Sequence, residues 1–414
     1  MTKPLFLQIH TLTSYPGTLL NRDDVGFAKR LPFGGATRTR VSSQCLKRHW
    51  RTFDGEHALK SLHDGAGPVG MSTRSRETFE RFVVKPLIEA GIAEDVAREA
   101  TNAVMVEVLG ESAKAKKAKA DSKKKDGEKE GETAKEDKLA TGQITVLGKP
   151  EVDFFFAEAK AIAEAAGSVK EVAGVAKKRF DKEWKKNLAG LRLAAGLDAA
   201  LFGRMVTSDK LSRADAAVHV AHAFTVHAEQ TETDFFAAVD DLVQGDDGEL
   251  GSGHIGTTEL TSGLFYSYVV VDVAQLVSNL EGCDAKEWLG ADRKLAADVV
   301  ASLVHLVSRV SPGAKKGSTA PYAYSHLTLV EVGSAQPRTL ANAFFEPVKG
   351  QPLLEKTYKA LASYLAEVDE AFGDKPRRAL MSIGHKDALT QIDAERGSIE
   401  KVASFAADAI REPR

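Results

Sequence analysis

Cysteine is almost missing from this chain: 2 residues in 414, Cys45 and Cys283. Two thiols build no disulfide framework and cannot supply a four-cysteine zinc site. Long apolar runs are also absent, and nothing approaches the roughly 20 residues that span a bilayer. The first residues, Met1-Thr2-Lys3-Pro4-Leu5, carry no signal-peptide core. These absences lead to the expectation of a cytoplasmic protein with no membrane partner. An apolar fraction of 43% excludes a wholly disordered chain.

A further absence is local. Residues 214–285 contain no Lys or Arg, but 13 acids from Asp215 to Asp284. Residues 1–51 hold nine Lys or Arg against only Asp23 and Asp24. The net charge of −2 conceals this polarity. A basic head can bind a polyanion, and it can also receive the acidic middle of another copy, head to tail.

Leu5 to Leu12 reads as a first strand, with Leu5, Leu7 and Ile9 on one face. Residues 13–41 read as a long Gly-, Pro- and Arg-rich loop. Ser42-Ser43 then opens a helix with an apolar stripe of Leu46, Trp50 and Phe53, and Gln44, Lys47, Arg48 and Arg51 on another face. Residues 74–110, 151–166 and 180–200 read as helical. Residues 112–138 hold ten Lys and seven acids and read as a solvated insertion without chemistry. An apolar segment around His219 and His222 reads as a helix. Those residues and His227 are read as core or interface histidines, with no metal. Strands at 263–271 and 324–332 flank a helix at 289–309, and a last helix covers 352–373. The order is α+β and ferredoxin-like, with a helical insertion.

The strongest constellation runs from Phe33-Gly34-Gly35 to Arg48. Paired glycines let backbone approach a ligand. Arg38 and Arg40 point the same way in an extended segment. Ser42 or Ser43 caps a helix whose first amides form an anion site, and Lys47 and Arg51 extend the positive strip. Phosphate binding accounts for these features together. The competing reading is a glycine turn, a cap and a solvated charged face. The spacing is not that of a Walker loop.

Leu19-Leu20-Asn21-Arg22-Asp23-Asp24, Phe33-Gly34-Gly35 and Arg40-Val41-Ser42-Ser43-Gln44-Cys45-Leu46-Lys47-Arg48 resemble the CasC family. This is the crRNA-binding backbone subunit of the type I-E CRISPR complex Cascade, within the RAMP superfamily. Collinear blocks follow at Gly203 to Ser208, Phe235 to Asp241, His254 to Glu259, Pro312 to Lys316 and Leu340 to Phe344. The resemblance implies an RRM-like, ferredoxin-like palm, a helical fingers insertion and an extended thumb hairpin. On that pattern residues 1–73 begin the palm, 74–200 form the fingers, 201–224 return to the palm, 225–260 form the thumb and 261–414 complete the palm.

The resemblance further implies several copies wound along one crRNA, which pairs with a target DNA strand, alongside other Cascade subunits. Asn21, Arg22, Lys29, Arg38, Arg40, Ser42, Gln44, Lys47, Arg48, Arg51 and Arg204 would hold RNA. Met205, Val206 and Thr207 would press on a displaced base, with Phe235, Phe236 and Ile255 as thumb wedges. No catalytic residue, metal or cofactor is implied. The alternative is a RAMP backbone that cuts target RNA with a metal ion held by Asp23 and Asp24. The blander reading of that pair is a salt bridge to Arg22 or Arg30, or a helix start.

Overall fold

The computed structural model describes residues 5–65, 67–110, 139–191, 193–204, 211, 214–239 and 252–413. The charged segment 112–138 lies outside them. The chain divides into two units. One comprises Met1–Leu62, Val218–Ala274 and Asp292–Arg414, and the other His63–Ala217 and Gln275–Ala291. No helix among the described residues is long and apolar enough to cross a membrane.

The first unit is built on one sheet. Its strands are β1 (Phe6–Thr18), β2 (Arg30–Phe33), β3 (Ala36–Val41), β4 (Val218–Val220), β5 (Ala223–Thr225), β6 (Thr231–Val239), β7 (Ser252–Asp272), β8 (Leu327–Gly333), β9 (Arg377–Ser382) and β10 (Glu395–Arg396). Their order is β10-β9-β8-β1-β7-β5-β3-β2, with β4 and β6 also on β7. Four of them, β8-β1-β7-β5, reproduce the ferredoxin-like order. The helices α1 (Ser43–Thr52) and α2 (Lys294–Arg309) supply its two crossovers. Two more helices follow, α3 (Leu353–Phe372) and α4 (Ile399–Arg411).

Both faces of the sheet are covered. On one, Thr11, Thr13 and Tyr15 of β1 meet Leu46 and Trp50 of α1 and Val307 of α2. On the other, Leu12 packs with Tyr266, Leu329, Tyr358, Leu361 and Leu365, the last three from α3. A strand buried on both sides shows little alternation. The first strand therefore carries no alternation to mark its end, and pairing with β7 carries it on to Thr18, well past its expected end.

Three expectations are corrected. Residues 13–41 are not one loop, because β1 continues through Thr18 and β2 and β3 form a hairpin. The segment around His219 and His222 is not a helix. It forms β4 and β5, each three residues long, and pairing with β7 overrides the local helical composition. The C-terminal stretch, which the sequence leaves unplaced, adds β9 beside β8 and packs α4 on α2.

A polar network lies under α3. The buried Glu331 carboxylate accepts from His10 Nε2 (3.1 Å), Arg338 Nη1 (2.8 Å) and Arg378 Nε (2.7 Å). Arg378 also makes two 2.6 Å bonds to Asp369 of α3. A neutral His10 that donates to Glu331 accepts the Tyr266 hydroxyl at Nδ1 (2.9 Å). Burial pushes His10 down and favours this neutral form. Burial works to raise Glu331, but the hydrogen bond from His10 and the bond and charge of Arg338 outweigh it and hold the carboxyl well below its ordinary range.

The second unit is mainly helical. Phe79, Val104, Phe155, Ile162, Trp184 and Leu188 fill its core. A two-stranded pair, Ser72–Ser75 with Thr145–Gly148, closes one side. Buried Asp198 accepts from the Ser72 amide and hydroxyl, both at 2.7 Å.

A pH prediction follows from Glu331. Its folded pKa lies below the ordinary 4.5, so its stabilisation is complete above that value and is lost as pH falls beneath it. Urea midpoints should drop on acidification below about pH 4.5. Glu331→Gln should cost about 3 kcal/mol at neutral pH, since it breaks a buried ionic network. It should also flatten the acid limb; an acid limb as steep as in wild type would refute this.

Candidate nucleic-acid interface

The hairpin of β2 and β3 turns through Gly34 and Gly35, at φ of +58° and +73°. Positive φ at both central residues is the two-residue turn that glycine favours. A Cβ on Gly34 would lie 1.3 Å from the Phe345 carbonyl oxygen. The close approach that requires glycine is therefore to the chain's own backbone rather than to a ligand.

Arg38 explains why the hairpin sits there. Its side chain is fully buried. The guanidinium donates to the carbonyls of Phe33 (3.2 Å), Thr225 (2.9 Å), Phe344 (3.0 Å) and Phe345 (3.3 Å). Burial lowers its pKa, but an arginine remains charged in a protein. Arg38 is thus a structural pin and not the phosphate contact expected from its alternation with Arg40. The partners that bury it come from distant segments.

Arg40 differs. It is half-buried, bonds the Arg30 carbonyl (3.0 Å) and lies 3.1 Å from His222 Nδ1. Lys29 is half-buried and Arg22 exposed. Asn21 holds the turn together: its Oδ1 accepts from the Ser42 amide (2.9 Å) and its carbonyl from the Lys29 amide (2.9 Å). Ser42 caps α1 through Oγ, which accepts from the Cys45 amide at 3.3 Å. Being buried and committed to the cap, Ser42 is a support for the helix rather than a ligand donor.

On α1, Leu46 and Trp50 are buried. Gln44 and Arg48 are exposed one turn apart, with Lys47 and Arg51 half-buried beside them. Burial raises the Cys45 thiol, while Arg48, Lys29 and Lys316 oppose that rise. Burial lowers His49, and Lys316 and Arg48 lower it further. Burial lowers His222, helped by Arg40 and Lys29. Lys29, Arg48 and Lys316 each recur, and Arg40 joins them through His222, so the four cations act on neighbouring groups around the start of α1. Lys316 and His222 were not picked out as site residues from the sequence. The signal for Lys316 was the Pro312 to Lys316 block.

The acids nearby are organised too. Asp23 Oδ1 accepts from the amides of Val25 (3.1 Å), Gly26 (2.8 Å) and Phe27 (2.9 Å). This is a loop clamp, and neither a salt bridge to Arg22 or Arg30 nor a helix start. Arg30 instead pairs with Glu229 and Glu259 at the root of the β6–β7 hairpin.

Residues 231–237 of that hairpin are all exposed. Phe236 lies over Gly256, where a Cβ would come 2.5 Å from the ring, and under Lys315 Nζ, 5.2 Å from its centroid. Phe235, on the other face of the strand, is 64% exposed. Of Ile255 only the backbone pairing with Ala237 is described. Met205, Val206 and Thr207 lie outside the described residues. Arg204 is inside the second unit: its Nη1 donates to Glu151 at 2.6 Å with both side chains buried. It is a core ion pair and not a surface cation.

His219 is exposed on β4 and His222 stands beside Arg40. His227 Nδ1 bonds the Ala228 carbonyl (2.7 Å) and Nε2 accepts from the Leu264 amide (3.1 Å). The three do not converge.

Arg38→Ala should destabilise the fold by about 3 kcal/mol, because it leaves several buried carbonyls without a donor. Arg40→Ala and Arg48→Ala should leave the denaturant midpoint near wild type. Chemical denaturation checks both. Equal tolerance at all three positions would contradict the division between pin and surface cations.

Two solved structures are similar to the chain. One, titled a CRISPR RNA-guided surveillance complex in a pre-nicking state, holds a chain with 27% identity and a TM-score of 0.72, covering 98% of this chain and 100% of that one. A second, titled a CRISPR RNA-guided surveillance complex, is similar at 24% identity with a TM-score of 0.64, covering 98% and 99%. The comparison with curated proteins gives no match. The model of the CT1975-like protein family matches residues 7–405. With nearly its whole length matched, the chain belongs to the CT1975-like protein family.

Proposed function

We propose that this chain binds crRNA as a backbone subunit of a type I-E Cascade. Copies stack head to tail along the guide and present its spacer to a target DNA strand. The observation that carries the reading is geometric: Arg40 donates its amide to the Lys29 carbonyl (2.7 Å), Asn21 ties that turn to the cap of α1, where Arg48 is exposed, and Lys316 adds its charge there. Such a surface grips phosphates and leaves sequence to base pairing. Arg22, Gln44, Lys47 and Arg51 flank it. Phe235, at the side of a projecting hairpin, wedges or stacks against a base regardless of its identity. The exposed acids Glu232 and Asp234 on β6 give the hairpin the charge to meet the cationic face of a neighbour. A contact between unlike surfaces builds an open helix.

The role is non-enzymatic in this reading. Asp23 Oδ1 accepts three backbone amides, which supports a structural part for the early acidic pair. The protein works in the cytoplasm beside other Cascade subunits.

Replacing Lys29, Arg48 and Lys316 together by alanine should weaken RNA binding about equally for unrelated sequences. The slope of log K against log salt should fall by about two, at about 0.7 per contact on a single strand. Fluorescence anisotropy across a salt series reads this. A loss confined to one sequence, or an unchanged slope, would refute backbone recognition. Phe235→Ala should leave the melting temperature unchanged but erase periodic base reactivity of the guide in the assembled complex. Persistence of that period would remove Phe235 from the wedge.

A further inference from the structure

A second cluster lies apart from the cationic surface. His57, His305 and Glu400 bring one donor atom each to within 4.8 Å of one another. They come from three distant segments: the loop after α1, the middle of α2 and the start of α4. His305 is 4% exposed, and its Nε2 lies 3.2 Å from Glu400 Oε2. The His57 ring stacks on it, with centroids 3.7 Å apart and planes 5° from parallel. A buried nitrogen of the cluster, His57 Nε2, has no hydrogen-bond partner, and Glu56 Oε1 stands 3.8 Å from it. Buried polar atoms are rarely left so. His57 also holds a left-handed backbone, at φ +67°. Strain of this kind in a non-glycine residue marks a position held for a reason.

We propose that His57, His305 and Glu400 bind a late first-row divalent cation, with Zn²⁺ the best fit. Two imidazoles and a carboxylate are a common zinc donor set. With bonds of about 2.0–2.1 Å, tetrahedral ligands stand about 3.3 Å apart, which the His305–Glu400 separation already matches. Arg309 Nη2 donates to Glu400 Oε1 at 2.8 Å, which fixes the carboxylate with Oε2 toward His305. Burial pushes His305 down, which favours the neutral form that a ligand must have.

Parallel rings send their lone pairs side by side, so one ring must tilt to admit the ion. His57 has room, because it borders a cavity of about 540 Å³ lined also by Phe53, Glu56, Arg309 and Tyr324. Water from that cavity fills the remaining position. The bound ion cross-links the segment after α1 to α2 and α4, which makes this a structural site.

The test uses the full chain, free of any tag and stripped with chelator, titrated with Zn²⁺ by calorimetry. Wild type should take up one ion per chain saturably, and its melting temperature should rise. His57→Asn keeps a residue that tolerates the left-handed backbone, and Glu400→Gln changes an exposed group. Each should weaken binding at least about tenfold and abolish the thermal shift. Their melting temperatures without metal report folding separately. Absence of saturable binding in wild type overturns the proposal. So does binding that both variants leave unchanged, since the ion would then sit elsewhere.

Discussion

A buried guanidinium sets the geometry of the surface that faces RNA in this account. Arg38 ties β3 to the β5 carbonyl of Thr225 and to the backbone at Phe344 and Phe345. The hairpin it pins carries Arg30 and Arg40, and runs directly into the cap of α1. Asn21 fastens the preceding turn to that cap, and Lys29 and Arg48 both act on the Cys45 thiol there. Like charges repel, so such a cluster forms only where neutral and ionic supports hold it. Here those supports are backbone carbonyls, the Asn21 amide group, and the Glu229 and Glu259 carboxylates on Arg30.

The covered sheet is the second constraint. In an RRM the open sheet face stacks bases on aromatic side chains. In this chain the corresponding face carries His10, Tyr266 and the Glu331 network, and α3 lies over it. Tyr266 is 1% exposed. In the proposed reading, nucleic acid is therefore met at the periphery, by the hairpin, by α1 and by the segment that bears Lys315 and Lys316. The β6–β7 hairpin returns an aromatic ring to solvent at Phe235. The same strand commits its neighbour Phe236 to covering Gly256.

Much of α1 was legible in the sequence, because its cap, apolar stripe and charged face are local properties. The aromatic pair of the β6–β7 hairpin came through the family resemblance, and only the structure separates the exposed Phe235 from Phe236 over Gly256. The fate of Arg38 was not legible. Alternation puts it beside Arg40, and nothing local reveals that three carbonyls from remote segments, Thr225, Phe344 and Phe345, close around it. Arg204 was hidden the same way, by a glutamate 53 positions earlier. The three-residue strands β4 and β5 carry too few positions to show a period, and only pairing with the long β7 makes them strands. Of the C-terminal strands, β10 has only two residues and β9 six. His57, His305 and Glu400 have no sequence spacing at all and meet only through the packing of α2 and α4.

The central claim is that the cationic face of the first unit holds single-stranded RNA by its backbone. Photo-crosslinking of a bound guide, followed by mapping of the attached peptides, tests it most directly. The account predicts crosslinks on residues 22–32, 43–52 and 312–316, at the same places for guides of unrelated sequence. Crosslinks confined to the helical unit, or moving with guide sequence, would contradict it.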